Sequence, residues 1–330
     1  MKAAFIRQTG PPETISYGVL ENPKPAAKQC LIKVAAVSVN PIDIYVRSGL
    51  VKADLPIPFI VGSDFAGTVV EVGPGVHHIK PGDRVWGTNQ GLQGRQGTFA
   101  EFAAVDEQWL YKLPSGVSEE SAAAAALVGI TAHLGLVRDA RLKSGETLFV
   151  NGGSGGIGSS VVQMAKIIGA RVITTAGSPE KIEACLQMGA DVAINYKTEN
   201  VDDAIQDFAP SGVDVWFESL REPNFDQAIS HLAMRGRMIV MAGREARPVF
   251  PVGPFYVKGC TLQGFAMFNA TADEQRFAAH DINRWLAEKK LKPKIDRVLK
   301  LSEAAQAHRL QEENTIGRAG TLSGKIVLKP

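Results

Sequence analysis

Residues 153–158, Gly153-Ser154-Gly155-Gly156-Ile157-Gly158, put four glycines into six positions. Each glycine costs backbone entropy, so such a cluster marks a tight turn or a place where something must approach the main chain. The stretch follows an apolar run, "TLFV", and opens a helix-like run, "SSVVQMAKIIGA"; a second apolar run, "RVITTAG", comes after it. Strand, glycine turn, helix and strand in that order make the βαβ unit that seats a dinucleotide diphosphate. Absent side chains let the diphosphate reach the backbone, where N–H groups without helical acceptors and the positive end of the helix meet its charge. Ser154, Gly155, Gly156, Ile157 and Gly158 are the candidate seat.

The end of the second strand reports on the nucleotide. A site selective for NAD usually carries an acidic residue there, which accepts from the ribose 2′-hydroxyl. This chain has Ala176-Gly177-Ser178, with Lys181 close behind. A small residue, a hydroxyl and an ammonium suit a 2′-phosphate, so the expected cofactor is NADPH.

Other chemistry-bearing residues give less. Cys30, Cys185 and Cys260 form no CxxC pair and suggest no disulfide framework, as expected of reduced thiols in the cytoplasm. His77 and His78 are adjacent in a turn-like segment without a nearby cysteine. His133, His231, His280 and His308 also lack metal-ligand spacing. No metal is expected.

The elements that must position these residues fall into two patterns. With 330 residues, the chain is long enough for two domains. Its first third is a series of short apolar or alternating runs, "KAAFI", "CLIKVAAVSV", "FAGTVVEVG", "DRVWG" and "TFAEFAAV", broken by Gly and Pro. They predict an all-β unit, a barrel or sandwich. From "EESAAAAALVGITAHLGLVRDA" onward, helices alternate with short apolar strands, the pattern of a parallel sheet covered on both faces. In that alternation "NFDQAISHLAMRG" reads as helix and "RMIVMAG" as strand. The pieces after about residue 265 are too small for a core of their own and are expected to return to the first domain. Lys+Arg 36 against Asp+Glu 34 argues against a nucleic-acid-tracking surface. No signal peptide is read at the start, and the apolar run at 122–132 is shorter than a membrane span. A soluble, cytoplasmic protein without membrane insertion is expected.

Taken together, "GETLFVNGGSGGIGSSVVQMAK", "NPIDIYVRSG", "GSDFAGTVVEVGPGVHHIKPGDRVWG", "GTFAEFAAV" and the C-terminal "GKIVL" resemble the NADPH:quinone oxidoreductase and zeta-crystallin branch of the medium-chain dehydrogenase/reductase superfamily. Phe149, where that signature usually has Leu, departs by what should be a packing change. The resemblance implies an α/β protein: a GroES-like β-barrel catalytic domain (1–122 and 266–330) interrupted by a Rossmann doubly wound parallel-sheet domain (123–265). It also implies a cleft between them and a homodimer built through the Rossmann sheets. By position, Asn40 and Tyr45 would face substrate and nicotinamide, and Thr131 would lie against the cofactor. Ser178, Lys181 and Tyr196 would hold the 2′-phosphate. Gly243 and Arg244 follow a later strand; Phe265, Ala266 and Met267 would line the nicotinamide pocket, while Gly324 and Lys325 would close the cofactor cleft. The superfamily's zinc ligands are replaced here by Asn40 and Ser63.

Without zinc, reducing an ordinary ketone lacks the means to stabilise charge on oxygen. A quinone or enone needs less, because hydride addition leaves a delocalised anion that one hydrogen-bond donor can stabilise. Tyr45 is the first candidate donor, with Asn40 assisting. The implied activity is zinc-independent, NADPH-dependent reduction of a quinone or related conjugated carbonyl. An enoyl-thioester or alkenal reductase is the nearest alternative, and an NADPH-binding structural or sensor protein is the alternative of another class. Loops 47–59, 87–97 and 268–275 are expected around the substrate, with the second a flexible rim.

Overall fold

The computed structural model describes residues 1–330, which divide into two compact units: Met1–Leu127 with Thr271–Pro330, and Val128–Ala270. The first opens with β1 (Lys2–Ile6), β2 (Ser16–Val19), β3 (Gln29–Ser38), α1 (Pro41–Ser48), β4 (Phe59–Ile60), β5 (Asp64–Val72), β6 (Arg84–Gly87), β7 (Phe102–Asp106) and β8 (Tyr111–Lys112). The division between the units falls inside α2 (Glu119–His133), which a π-helical turn extends to Asp139.

The second unit continues with β9 (Thr147–Val150), α3 (Gly156–Ile168), β10 (Arg171–Ala176), α4 (Pro179–Gln187), β11 (Val192–Asn195), α5 (Val201–Phe208) and β12 (Val213–Glu218). It ends with α6 (Phe225–His231), β13 (Leu232–Val240), α7 (Val252–Val257) and β14 (Thr261–Gly264). The chain then returns to the first unit as α8 (Ala272–Ala287), β15 (Ile295–Lys300), α9 (Ala304–Thr315) and β16 (Lys325–Lys329).

In the first unit β15-β16-β3-β5-β6-β8 form one sheet, with β7 also paired to β3, and β2-β1-β4 form a smaller one. Their inward residues, among them Ile32, Phe65, Val85 and Phe99, make one continuous core with Leu301 and Ile326 from the returning segment. β16 pairs with β3 at Val327–Ser38, so the returning segment completes the sheet.

The second unit is a six-stranded parallel sheet in the order β11-β10-β9-β12-β13-β14. This is the doubly wound Rossmann order, and sequence direction reverses between β9 and β12. Phe149 is fully buried and stacks on Trp216 with ring centroids 4.0 Å apart, so the departure from Leu is absorbed by packing.

Two expectations change. β13 begins at Leu232, so Ala233–Gly236 belong to an irregular strand start rather than to a helix. Arg235 sits at φ +61° and its N–H donates to the Lys258 carbonyl at 2.7 Å, a partner outside any helix. The helix over 119–140 is found as expected, from Glu119 to Asp139; it is long and apolar enough to cross a membrane, yet most of it is buried within the protein. Ala122–Ala126 are all buried, so the even distribution of apolar residues reflects packing on every side. The 87–97 segment is not a loose rim: Gly87–Gly91 are buried, and Gln96 donates to the Pro56 and Pro58 carbonyls at 2.9 Å each.

Candidate active-site regions

The glycine turn leaves β9 after Val150 and enters α3 at Gly156. Its glycines have distinct duties. Gly152 has φ +67°, a conformation that only glycine adopts freely. A Cβ at Gly153 would fall 2.4 Å from Thr174 Oγ1, and one at Gly158 would fall 2.1 Å from the Gly152 carbonyl oxygen. Side chains there would push the turn off β10 and the helix off the turn. Gly155 is the N-cap of α3, with φ −76° and ψ 175°, and offers no side-chain cap. The first N–H groups of α3 therefore point into a place where a ligand anion can accept from them.

At the next strand end, Gly177 is held against Tyr196, since a Cβ would lie 2.5 Å from the phenol oxygen. Ser178 caps α4, its Oγ accepting from the Lys181 N–H at 3.4 Å. One neighbour was not read from the sequence. The exposed Glu180 carboxylate is held below its usual range first by the Ser178 hydroxyl. An anion at this position would oppose the binding of a phosphate beside Ser178.

Several of the remaining residues of the second unit follow strands of the same sheet. Gly243 turns the chain just after β13 at φ +88°, and Arg244 is exposed, 3.8 Å from Glu245. Phe265 and Ala266 follow β14; the Arg138 guanidinium lies 5.3 Å over the Phe265 ring, and Met267 is buried. Thr131 is buried on α2. The turns after β9, β10, β11, β13 and β14 thus all stand at the carboxyl ends of one parallel sheet, where dinucleotides bind at the point of reversal.

The first unit holds a different construction. Ser38, Asn40, Asp43, Ser63, Asp64 and Lys325 are all buried and bonded to one another. Lys325 Nζ donates to the Val39 carbonyl at 2.7 Å and to Asn40 Oδ1, and lies 3.7 Å from Asp64 Oδ2. Asn40 Nδ2 donates to Asp64 Oδ2 at 2.7 Å and to the Ser38 carbonyl at 3.4 Å. Asp64 Oδ1 accepts from the Leu127 N–H at 3.1 Å. Asp43 accepts from the Asn40 N–H at 2.8 Å, which starts α1, and from Ser63 Oγ at 2.6 Å. Burial, reinforced by Asp64, pushes the Asp43 carboxyl up to about 7, and burial also lowers Lys325 from its usual value.

Two of the expected site residues belong to this cluster. Asn40, expected to face substrate and nicotinamide, is fully buried with both amide hydrogens engaged and its oxygen bonded to Lys325. It anchors α1 instead. Lys325, expected at the cofactor cleft, turns its ammonium into this cluster. Gly324 is required by φ +114° and by the Lys294 carbonyl, 2.4 Å from where its Cβ would stand. Tyr45 is half-buried on α1, two residues beyond Asp43.

Nor do these residues fit the zinc ion that the superfamily implies. An amide and a hydroxyl replace thiolate and imidazole, and a lysine ammonium fills the space between them and Asp64. No three His, Cys, Asp or Glu side chains elsewhere make a metal-binding group. The adjacent His77 and His78 are exposed, and their backbone N–H groups donate to Glu107.

With this geometry in place, comparisons with known proteins are informative. Residues 26–115 match the alcohol dehydrogenase GroES-like domain and 156–283 the zinc-binding dehydrogenase family. The chain is 34% identical to a quinone oxidoreductase of Rattus norvegicus, over 99% of its own length and 97% of that protein. It is 37% identical to an NADPH-dependent alkenal/one oxidoreductase of Arabidopsis thaliana, over 67% of this chain and 57% of the other. The solved Escherichia coli quinone oxidoreductase complexed with NADPH superimposes with a TM-score of 0.87 and 26% identity over the whole of both chains.

Proposed function

Because the chain belongs to the quinone oxidoreductase and zeta-crystallin branch of the medium-chain dehydrogenase/reductase superfamily, we propose that it is a zinc-independent, NADPH-dependent reductase of quinones and related conjugated carbonyls. The observation that carries this reading is the uncapped N-terminus of α3 behind a glycine turn at the reversal of sheet order. Ser154 to Gly158 would hold the diphosphate of NADPH, and Ser178, Lys181 and Tyr196 its 2′-phosphate. When bound, that cofactor supplies a hydride. Thr131, Gly243, Arg244, Phe265, Ala266 and Met267 would flank the rest of it.

On the acceptor side, Tyr45 is the candidate hydrogen-bond donor to the carbonyl oxygen that gains charge. Asn40 fixes the start of the helix bearing it rather than donating. A conjugated acceptor spreads the charge, so one donor in place of a Lewis acid is chemically sufficient. If Tyr45→Phe turned over a 1,4-quinone at the wild-type rate, this role would fall.

NADPH oxidation measured with a naphthoquinone, an alkenal and crotonyl-CoA tests the function itself. Fastest turnover of the naphthoquinone is expected. The likeness to the alkenal/one oxidoreductase favours a second reading, which preferential alkenal turnover would support. Tight NADPH binding with no oxidation of any acceptor would mark a structural or sensor protein instead.

The self-association and cytoplasmic location read from the sequence remain part of this proposal. β14 is an open sheet edge with all four residues exposed, and α7 beside it buries none of its six. Val252, Tyr256 and Val257 are each more than 60% exposed. A second copy pairing edge to edge would satisfy the strand and cover the helix. A dimeric mass by light scattering, lost on Tyr256→Asp with Val257→Asp, is the expected result.

A further inference from the structure

Beneath the glycine turn lies a carboxylate that the chemistry above does not use. Glu218 ends β12 and is 1% exposed. Asn151, the first residue after β9, donates through Nδ2 to both of its oxygens, at 3.3 Å and 3.2 Å. Trp216 Nε1 donates to the same carboxylate at 3.1 Å and the Leu220 N–H at 2.9 Å. Asn151 is held from its other sides too: its carbonyl accepts from Ser219 Oγ at 3.0 Å, and its Oδ1 from Thr175 Oγ1 at 3.4 Å. Thr175 Oγ1 in turn accepts from the Gly152 N–H at 3.0 Å. A chain of hydrogen bonds therefore runs from β10 through the root of the turn to β12. It crosses the sheet where its order reverses.

We infer that Glu218, acting through Asn151, is a positioning residue that sets the glycine turn for the cofactor diphosphate. The inference rests on the reading of that turn as the cofactor seat. A buried carboxylate beneath an anion site is costly: it must be desolvated, and burial does raise Glu218 from its usual value. It also repels the diphosphate above it. Its place there makes sense through what an ionised carboxylate can do and a neutral amide cannot, which is to accept from several N–H donors at once. Gly152 and Gly153, free to adopt many conformations, would otherwise let the turn wander. A misplacement of about 1 Å in such a seat is enough to cost orders of magnitude in function.

Glu218→Gln is the direct test, because its own NH2 must face one of the donors now satisfied. The expected result is a Kd and KM for NADPH raised about tenfold, the worth of one such hydrogen bond. kcat at saturating NADPH and the KM of the acceptor should stay within about twofold, a split that a general loss of folded protein would not produce. Asn151→Ala, at the mouth of the turn, should do the same, and the double variant should be no worse than either single one. Unchanged NADPH affinity in both variants, or effects that multiply in the double variant, would overturn the inference. Gly155→Asp separates its failure from that of the underlying reading. If Gly155→Asp abolishes binding while Glu218→Gln leaves it intact, only the role of Glu218 falls. If Gly155→Asp binds NADPH normally, the seat itself has been misassigned.

Discussion

The edge of the parallel sheet and the buried cluster of the first unit are both polar, yet they are built in opposite ways. At the sheet edge the working groups are backbone N–H donors exposed by missing side chains, and the turn depends on what glycine lacks. In the cluster the polar side chains are already bonded to one another or to nearby main-chain groups, with Lys325 shared among Asn40, the Val39 carbonyl and Asp64. One construction holds its donors open for a ligand; the other closes on itself. A site for an anion and an internal anchor can thus be told apart by asking where the hydrogen bonds go.

The sharpest way to break that contrast is to remove the shared cation. Lys325→Met leaves Asp64 buried without its partner and should destabilise the first unit by about 3–5 kcal/mol, read from chemical denaturation. A loss below about 1 kcal/mol would mean that the cluster is not an anchor. On the sheet edge, Lys181→Glu should raise the KM for NADPH about tenfold or more and leave that for NADH near its wild-type value. Equal effects on the two cofactors would remove Lys181 from the phosphate seat, whereas Glu180→Gln should shift preference modestly the other way, toward NADPH.

A subtler distinction concerns pH. The folded state raises the Asp43 carboxyl from its ordinary value of 3.8 to about 7, so folding favours its protonated form. That contribution to stability is complete below about pH 4 and fades as pH rises to about 7. Asp43→Asn should flatten this stretch of the stability profile; an unaltered slope would assign it to other groups. The smallest effect is expected at His308, buried with neither ring nitrogen bonded and its pKa lowered to about 3, first by burial and then by Arg47. His308→Leu removes two unsatisfied polar atoms and should change stability by less than about 1 kcal/mol, or raise it. A large loss would show that the imidazole has a task.

The contrast also explains what could be read in advance. The glycine turn and its flanking strands are contiguous from Thr147 to Ala176, so spacing alone exposes them. Ser178 and Lys181 follow from the end of the same unit, while Tyr196 came only from the family resemblance. The cluster has no such signature: Asn40 and Lys325 are 285 residues apart and meet only because β16 pairs with β3. The placing of Asn40 beside the substrate came from the family resemblance, and the bonds of its amide became visible only in the structure. Glu218 was missed for a related reason, since a single acid at a strand end says nothing until Asn151 and Leu220 close on it. The early start of β13 was hidden because Arg235 takes its partner from another segment, the Lys258 carbonyl.

Gly155→Asp in an isothermal titration with NADPH, paired with a thermal melt, tests the central claim most directly. The backbone at Gly155 suits any residue, its Cβ would need only a small adjustment against the Gly152 carbonyl at 3.3 Å, and Asp is a favoured N-cap. The variant should melt at or slightly above the wild-type temperature while its carboxylate occupies the anion's place, so NADPH affinity should fall at least about a hundredfold. A stable variant that still binds NADPH with wild-type affinity would contradict the account.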